Sequence, residues 1–455
     1  MTTLILSPLF KLLVSLHLLC YSGYSFAYEG EETTVQDSSM QPSCIPPYKG
    51  SEEGTYLKLV DKHGPCSPLI QKGRVNALSD FESLKHDEAR IEAIQSRIGK
   101  PGLVTLPTAN RFIITVGLGT PKKEVSLSFD TGSYLAWTQC KSRSGRYYFR
   151  QKHPIFDPSK SRTFSHLKCS SPYCSGSEST CIYPRCKYLS GYGDGTRVEG
   201  YYSQDRLALT SSDVIDNFVF GCSENNTGLF NEFEEDGIIG LGQHPLSIVY
   251  QTAKKHHKIF SYCLPSKTVV GFLRFGGTTK QSLVYTPIIT YKSDTSAYGI
   301  GITGIALNGK RLPIPSSLFA KAGAIIDSGT TTSRLPPEIY KPFRDQYRKA
   351  MSKYKFVDPK YVGSGYDILD TCHSLGHQKS FKFPRISFLF SGGVSVDIPV
   401  PSITYNSTIA CFAFSGKPFN GGGFNFIWGQ YQQRTLEVEY DLGKGRLGFG
   451  YGACK

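Results

Sequence analysis

The chain has no apolar run long enough to cross a bilayer. Its N-terminal run extends only from Leu12 to Leu19, far short of the roughly 20 residues a spanning helix needs. No hydrophobic tail follows Gly452-Ala453-Cys454-Lys455, which argues against a C-terminal lipid anchor. There is no C-x-x-C pair and the histidines are scattered, so the usual zinc frameworks are missing and neither metal nor cofactor is expected. Lys and Arg outnumber Asp and Glu by 51 to 37, a net charge of +14. No basic cluster is dense enough, and no DNA-reading element is present, to favour nucleic acid as a partner. Helical patterning is sparse. It is clearest from Phe81 to Ile98, with Leu84, Ile91, Ile94 and Ile98 apolar, and again from Pro336 to Tyr354, which opens Pro-Pro-Glu.

What is abundant points to strands. Gly (46), Tyr (28) and Phe (28), with Val and Ile, fall in short alternating runs separated by turn signals, the pattern of a mostly β protein. The 455 residues suffice for a leader segment and two lobes with separate cores.

Two tripeptides carry the chemistry. Asp130-Thr131-Gly132 follows Leu127–Phe129, Asp327-Ser328-Gly329 follows Ala324–Ile326, and a hydroxyl residue, Ser133 or Thr330, comes next in each. One such segment is an ordinary turn, since Asp and Ser bond nearby backbone and Gly takes positive φ. Two, each behind an apolar strand, point to two carboxylates that face one another. Like charges about 3 Å apart do not both ionise, so one stays protonated while the other acts as base. A duplication is expected from a second pair of signals, Gly237-Ile238-Ile239-Gly240-Leu241-Gly242 and Phe426-Ile427-Trp428-Gly429. Each is apolar-apolar-Gly, and the two lie at similar distances beyond their aspartates. The apolar pair should run beneath the Asp loop as a buried strand, with Gly permitting close backbone approach.

From Phe112 to Cys454 the chain resembles the pepsin-type aspartic endopeptidases, in particular their nepenthesin-like plant branch. The matching stretches are Val116-Gly117-Leu118-Gly119-Thr120-Pro121, Phe129 to Trp137, Tyr192-Gly193-Asp194-Gly195, Phe220-Gly221-Cys222, Phe260 to Pro265, Ile325 to Pro336 and Tyr440 to Phe449. Upstream, Leu59 to Leu69 (LVDKHGPCSPL) is similar to the prosegment of relatives that include a chloroplast-nucleoid DNA-binding protease. With only 128 residues after Asp327, no saposin-like insertion of typical vacuolar members fits.

The resemblance implies a bilobal, double-barrel fold with its cleft between homologous lobes. It also implies an EC 3.4.23-type hydrolase that cuts extended polypeptides through a water held by Asp130 and Asp327. Ser133 and Thr330 would hydrogen-bond the outer carboxylate oxygens, Thr131 and Ser328 would bond across the lobes, and the N–H groups of Gly132 and Gly329 would reach the carboxylates. Tyr192-Gly193-Asp194-Gly195 would be the tip of a flap over substrate, with Trp137 receiving the Tyr192 hydroxyl. The expected layout is a signal peptide at 1–27, a prosegment at 28–107 acting as intramolecular inhibitor, an N-terminal lobe at 108–290 and a C-terminal lobe at 291–455. Processing is placed between Lys100 and Arg111, and the enzyme is expected to be a monomer. The alternatives are a non-proteolytic, glycosidase-inhibitor-like protein on the same fold, which would be expected to lose an Asp or the flap Tyr, and a protease with added nucleic-acid binding.

This chain departs from the family at three places. Lys141 to Arg150 (KSRSGRYYFR) lacks two cysteines that relatives carry, Tyr134 replaces an Asp, and Trp428 replaces a smaller aliphatic residue close to the second Asp loop.

Export fits the remaining signals. Lys11 precedes the apolar run and Ser25-Phe26-Ala27 offers a cleavage site, so secretion is expected ahead of vacuole or plastid. Cys44 and Cys66 lie in the prosegment. Ten cysteines follow: Cys140, Cys169, Cys174, Cys181, Cys186, Cys222, Cys263, Cys372, Cys411 and Cys454. They allow up to five disulfides, and the resemblance suggests Cys372 with Cys411. Asn225 and Asn406 head N-x-T/S sequons, candidate glycan sites. Residues 28–100 hold nine basic and twelve acidic side chains, whereas 101–455 hold 41 and 25. An acidic leader over a basic body invites electrostatic docking.

Overall fold

The computed structural model describes residues 53–70 and 111–454, together with Thr33–Thr34, Cys44–Pro46 and eight positions between Leu84 and Gln95. It leaves out the short stretches 143–146, 176–178, 192–196, 229–233, 266–269, 278–281, 363–367, 377–379, 401, 406–407 and 452–453.

The chain is mostly β, and its two halves repeat one motif. In the first half, Lys123–Asp130 (KEVSLSFD) is buried from Val125 onward and forms an antiparallel hairpin with Phe112–Leu118. Its end runs parallel to Gly237–Gly240, with Asp130 opposite Gly240. That four-residue strand also pairs antiparallel with Trp137–Gln139. In the second half Ala324–Ile326 runs parallel to Phe426–Trp428, which pairs antiparallel with Ser333–Arg334. Both apolar-apolar-Gly strands therefore pass beneath an Asp loop. Glycine is needed at each crossing: a Cβ on Gly240 would lie 2.4 Å from the Tyr134 carbonyl carbon, and one on Gly429 2.7 Å from that of Thr332. Loop and strand are then tied by Leu241 N–H to Asp130 O (2.9 Å) and Gln430 N–H to Thr330 O (2.8 Å).

A continuous antiparallel sheet joins the halves. Its order is Phe112–Leu118, Thr55–Asp61, Gly271–Phe275, Ile259–Cys263, Leu436–Asp441, Arg446–Tyr451 and Val284–Tyr291. The expected N-lobe boundary at 290 falls within the strand Val284–Tyr291, which pairs with Asp294–Ile300 and Arg446–Tyr451. The leader also supplies an interior strand, which its sequence pattern had not suggested. Buried Phe, Leu, Ile and Tyr residues from both halves form one main core, each large side chain contributing about 1.5–3 kcal/mol on burial.

The C-terminal half carries one long helix, Pro337–Ala350, burying Ile339, Tyr340, Phe343 and Tyr347, a turn shorter than Pro336–Tyr354. Trp428 is fully buried; its ring packs on Phe388, Phe390 and Phe449. The larger side chain is taken up in this core, while its carbonyl accepts from the Asp327 N–H at 3.1 Å. Tyr134 stacks on His244 with ring centroids 3.9 Å apart.

Six disulfides are present among the described residues. Cys372–Cys411 is one, and Cys140–Cys222, Cys169–Cys181, Cys174–Cys186 and Cys263–Cys454 use the other eight cysteines downstream of the leader. Cys44–Cys66 closes a loop in the leader itself.

Candidate active site

Asp130 and Asp327 end their strands fully buried, a costly placement for two carboxylates unless each is hydrogen-bonded and charge-balanced. Backbone supplies part of the answer. Gly132 N–H donates to Asp130 Oδ1 and Gly329 N–H to Asp327 Oδ1, both at 2.9 Å. Thr330 Oγ1 donates to Asp327 Oδ2 at 2.6 Å.

The pseudo-equivalent Ser133 behaves differently. Its buried hydroxyl makes no tight bond like that of Thr330, yet its hydrogen bonding to Asp130 is among the interactions that lower that carboxyl. The Asp130 oxygens are also held by the Gly132 N–H and by a guanidinium from the leader.

The loops are locked to each other. Thr131 N–H and Oγ1 both reach Ser328 Oγ, at 3.1 and 3.2 Å, and Ser328 N–H donates to Thr131 Oγ1 at 2.9 Å. Beneath them Gln433 Nε2 donates to the carbonyls of Asp327 (3.3 Å) and Trp428 (2.9 Å). Tyr262 Oη donates to Gln433 Oε1 at 2.5 Å. Tyr262 and Gln433 were not singled out from sequence, because no local motif marks a residue that acts from below a loop.

The charge balance comes from the leader. Arg90, on a helical stretch, lies between the two aspartates. Its Nη2 donates to Asp130 Oδ1 at 2.7 Å and to Asp327 Oδ1 at 2.8 Å, while Nε reaches Asp327 Oδ2 at 3.0 Å. The guanidinium rests on the loop glycines: a Cβ on Gly329 would sit 2.2 Å from Arg90 Cζ, and one on Gly132 2.5 Å from Nη2. Burial works against the charge on Asp130. The Arg90 charge and hydrogen bond, with Ser133 and the Gly132 N–H, nevertheless hold its carboxyl below the usual range. Arg90 in turn is pushed above its ordinary value by the two carboxylates, despite burial.

Neighbours on the same helix dock it. Asp87 accepts from the N–H groups of Thr331 (2.7 Å) and Thr332 (2.9 Å). Burial raises its carboxyl to about 6, against those bonds and the Arg334 charge. Glu88 pairs with Arg334. Ile91 and Ile94 pack on Ala297, Ile325, Phe419, Phe424 and Ile427, and Leu84 joins Ile368, Leu369 and Ile403. The periodicity located this helix, with Ile98 outside the described residues. Arg90 went unremarked, although a cation placed among Leu84, Asp87, Ile91 and Ile94 was the available signal.

Trp137 is buried, edge-on to Phe149. Tyr192, Gly193, Asp194 and Gly195 lie outside the described residues, but the strands that flank them, Arg185–Gly191 and Arg197–Ala208, form an antiparallel hairpin with Gly191 opposite Arg197. Asn225 sits half-buried in Val214–Thr227 with its Oδ1 enclosed; Asn406 is outside the described residues, as are the signal-peptide positions.

Two halves built alike, each contributing one carboxylate to a shared centre, define a pepsin-like aspartic-protease scaffold. The chain belongs to the pepsin-like aspartic protease family. Family models described as xylanase inhibitor N-terminal and C-terminal match residues 112–277 and 297–451. It is 39% identical to "Aspartyl protease family protein At5g10770" of Arabidopsis thaliana, over 99% of this chain and 98% of that one. It is 32% identical to "Aspartic proteinase nepenthesin-2" of Nepenthes gracilis, over 88% of this chain and 93% of that one. In fold it is similar to the solved structure of edgp, with a TM-score of 0.59 at 18% identity over 75% of this chain and 92% of the other. Basic 7S globulin from soybean is likewise similar, with a TM-score of 0.57 at 18% identity over 74% and 91%.

Proposed function

We propose that the protein is a secreted, acid-active aspartic endopeptidase, made as a zymogen that Arg90 holds shut. One observation carries this reading: oxygens of Asp130 and Asp327 lie 2.7 and 2.8 Å from the same nitrogen, Arg90 Nη2. A water in that position would bond both carboxylates. Once the helix leaves, two like charges at one point take up a shared proton. The ionised carboxylate then removes a proton from the water as its oxygen attacks the scissile carbonyl carbon, and the protonated partner donates to the carbonyl oxygen. Thr131, Ser328 and the loop N–H groups keep both acids in register. The hairpin strands Arg185–Gly191 and Arg197–Ala208 are the elements on which a flap over an extended peptide would be carried.

In the latched state the Arg90 guanidinium fills the point between the carboxylates and favours the charged form of Asp130, so neither the water nor the shared proton of the chemistry can take that place. The retained pair of aspartates favours this reading over a non-proteolytic inhibitor. The direct test is acid incubation of the purified precursor with a protein substrate, with and without pepstatin. Pepstatin-sensitive cleavage is expected; no cleavage across the acid range would favour the inhibitor-like reading.

A further inference from the structure

We propose that the leader segment from Cys44 to Leu69 is a permanent strand of the mature enzyme, retained without a covalent link after the Arg90 helix is cut away. This rests on the zymogen reading above and concerns what activation leaves behind.

The strand Thr55–Asp61 lies inside the central sheet. Leu59, Val60 and Asp61 pair with Ile114, Ile113 and Phe112 on one side. Thr55 to Leu59 pair with Phe275 to Gly271 on the other. Its departure would leave two facing edges with unmade hydrogen bonds in the middle of the molecule. Leu57, Leu59 and Val60 are buried, and Val60 packs with Leu69, Ile113 and Val270.

The charges bind the segment more selectively. Asp61 Oδ2 accepts from buried Arg111 Nε at 2.5 Å. Lys62 Nζ donates to Glu235 Oε1 at 2.9 Å, with Glu235 fully enclosed. Thr55 bonds Asp213 at the other end of the strand. Removing one member of a buried pair strands the other charge in a low-dielectric interior.

A strand exchange would have to draw on the segment next to Phe112, residues 101–110 (PGLVTLPTAN). It contains no ionisable side chain. It can supply apolar contacts, but neither a carboxylate for Arg111 nor an ammonium for Glu235. The Cys44–Cys66 disulfide closes the retained segment on itself, so cuts downstream of Leu69 release it as one folded-back unit. The LVDKHGPCSPL stretch thereby gains a structural role: its apolar residues fill the sheet, and its Asp-Lys pair meets two buried charges.

The test uses the full-length precursor with site-specific protease sites inserted in residues 71–80 and 101–110. It is cut at both and held in acid, then passed through native gel filtration. Intact mass is expected to find the fragment upstream of the first cut, which carries Cys44–Leu69, with the two lobes at one to one and the Arg90 helix lost. The fragment should separate only in denaturant. Loss of the fragment from natively folded lobes would overturn the proposal. The same cut on Asp61→Asn with Lys62→Gln should lose the fragment under native conditions; unchanged retention would overturn the role given to the two ion pairs. Because the cuts are supplied, the result does not depend on self-processing. Failure of the unmodified precursor to process itself in acid would count against the zymogen reading alone.

Discussion

At Arg90 a single side chain holds the point between Asp130 and Asp327 that the proposed mechanism gives to a water and a shared proton. Asp130→Asn or Asp327→Asn is expected to lower proteolysis by about 10²–10⁴-fold, the usual worth of a positioned acid–base group, measured on acid-activated protein. Arg90→Ala should open the cleft without acid, read as pepstatin binding to the uncut precursor near neutral pH; a precursor still closed to inhibitor would refute the latch.

The pH response follows from the two perturbed acids on either side of that contact. Asp87 is raised to about 6 in the docked state by burial, against an ordinary 3.8. Docking therefore takes up a proton, and the helix is held more tightly as pH falls from about 6 towards 3.8. Asp130 is held lower when docked, so its contribution is lost as pH falls through that depressed value. The latch is expected to tighten in weak acid and release in strong acid. Inhibitor access to the precursor against pH checks this, and Asp87→Asn should remove the upper limb while leaving the lower.

Among the elements, the interior leader strand has the largest stake in stability. Lys62→Met or Glu235→Gln alone leaves one buried charge without its partner and should cost about 3–5 kcal/mol. The double replacement should cost less than the two single ones together. Denaturant titration of the uncut precursor measures this; strict additivity would mean that the pair is not coupled. The Asp loops were legible because a buried acid at the end of an apolar strand has few explanations. The crossing strands were legible from apolar-apolar-Gly, since only glycine tolerates backbone at those distances. The leader strand Thr55–Asp61 was not, because TYLKLVD reads locally like any half-buried strand and its neighbours are more than 50 and 200 residues away in places.

Across the whole molecule, the described residues of the leader meet the body through individual ion pairs. Their pairs run both ways: leader cations Arg90 and Lys62 meet body acids, while leader acids Asp61 and Glu88 meet Arg111 and Arg334. High salt is accordingly expected to weaken docking only modestly, since buried pairs are poorly screened; salt-induced opening of the cleft, followed by inhibitor binding, would show the contacts to be superficial. By itself the sequence determined the duplicated architecture and the two aspartates, since strand alternation, turn glycines and buried acids are written in neighbouring residues. The tertiary structure alone decided that Arg90 joins those acids, and that Asp61 and Lys62 meet Arg111 and Glu235. Each is a contact between distant segments, fixed by which strands share a sheet and which buried charges must find a partner there.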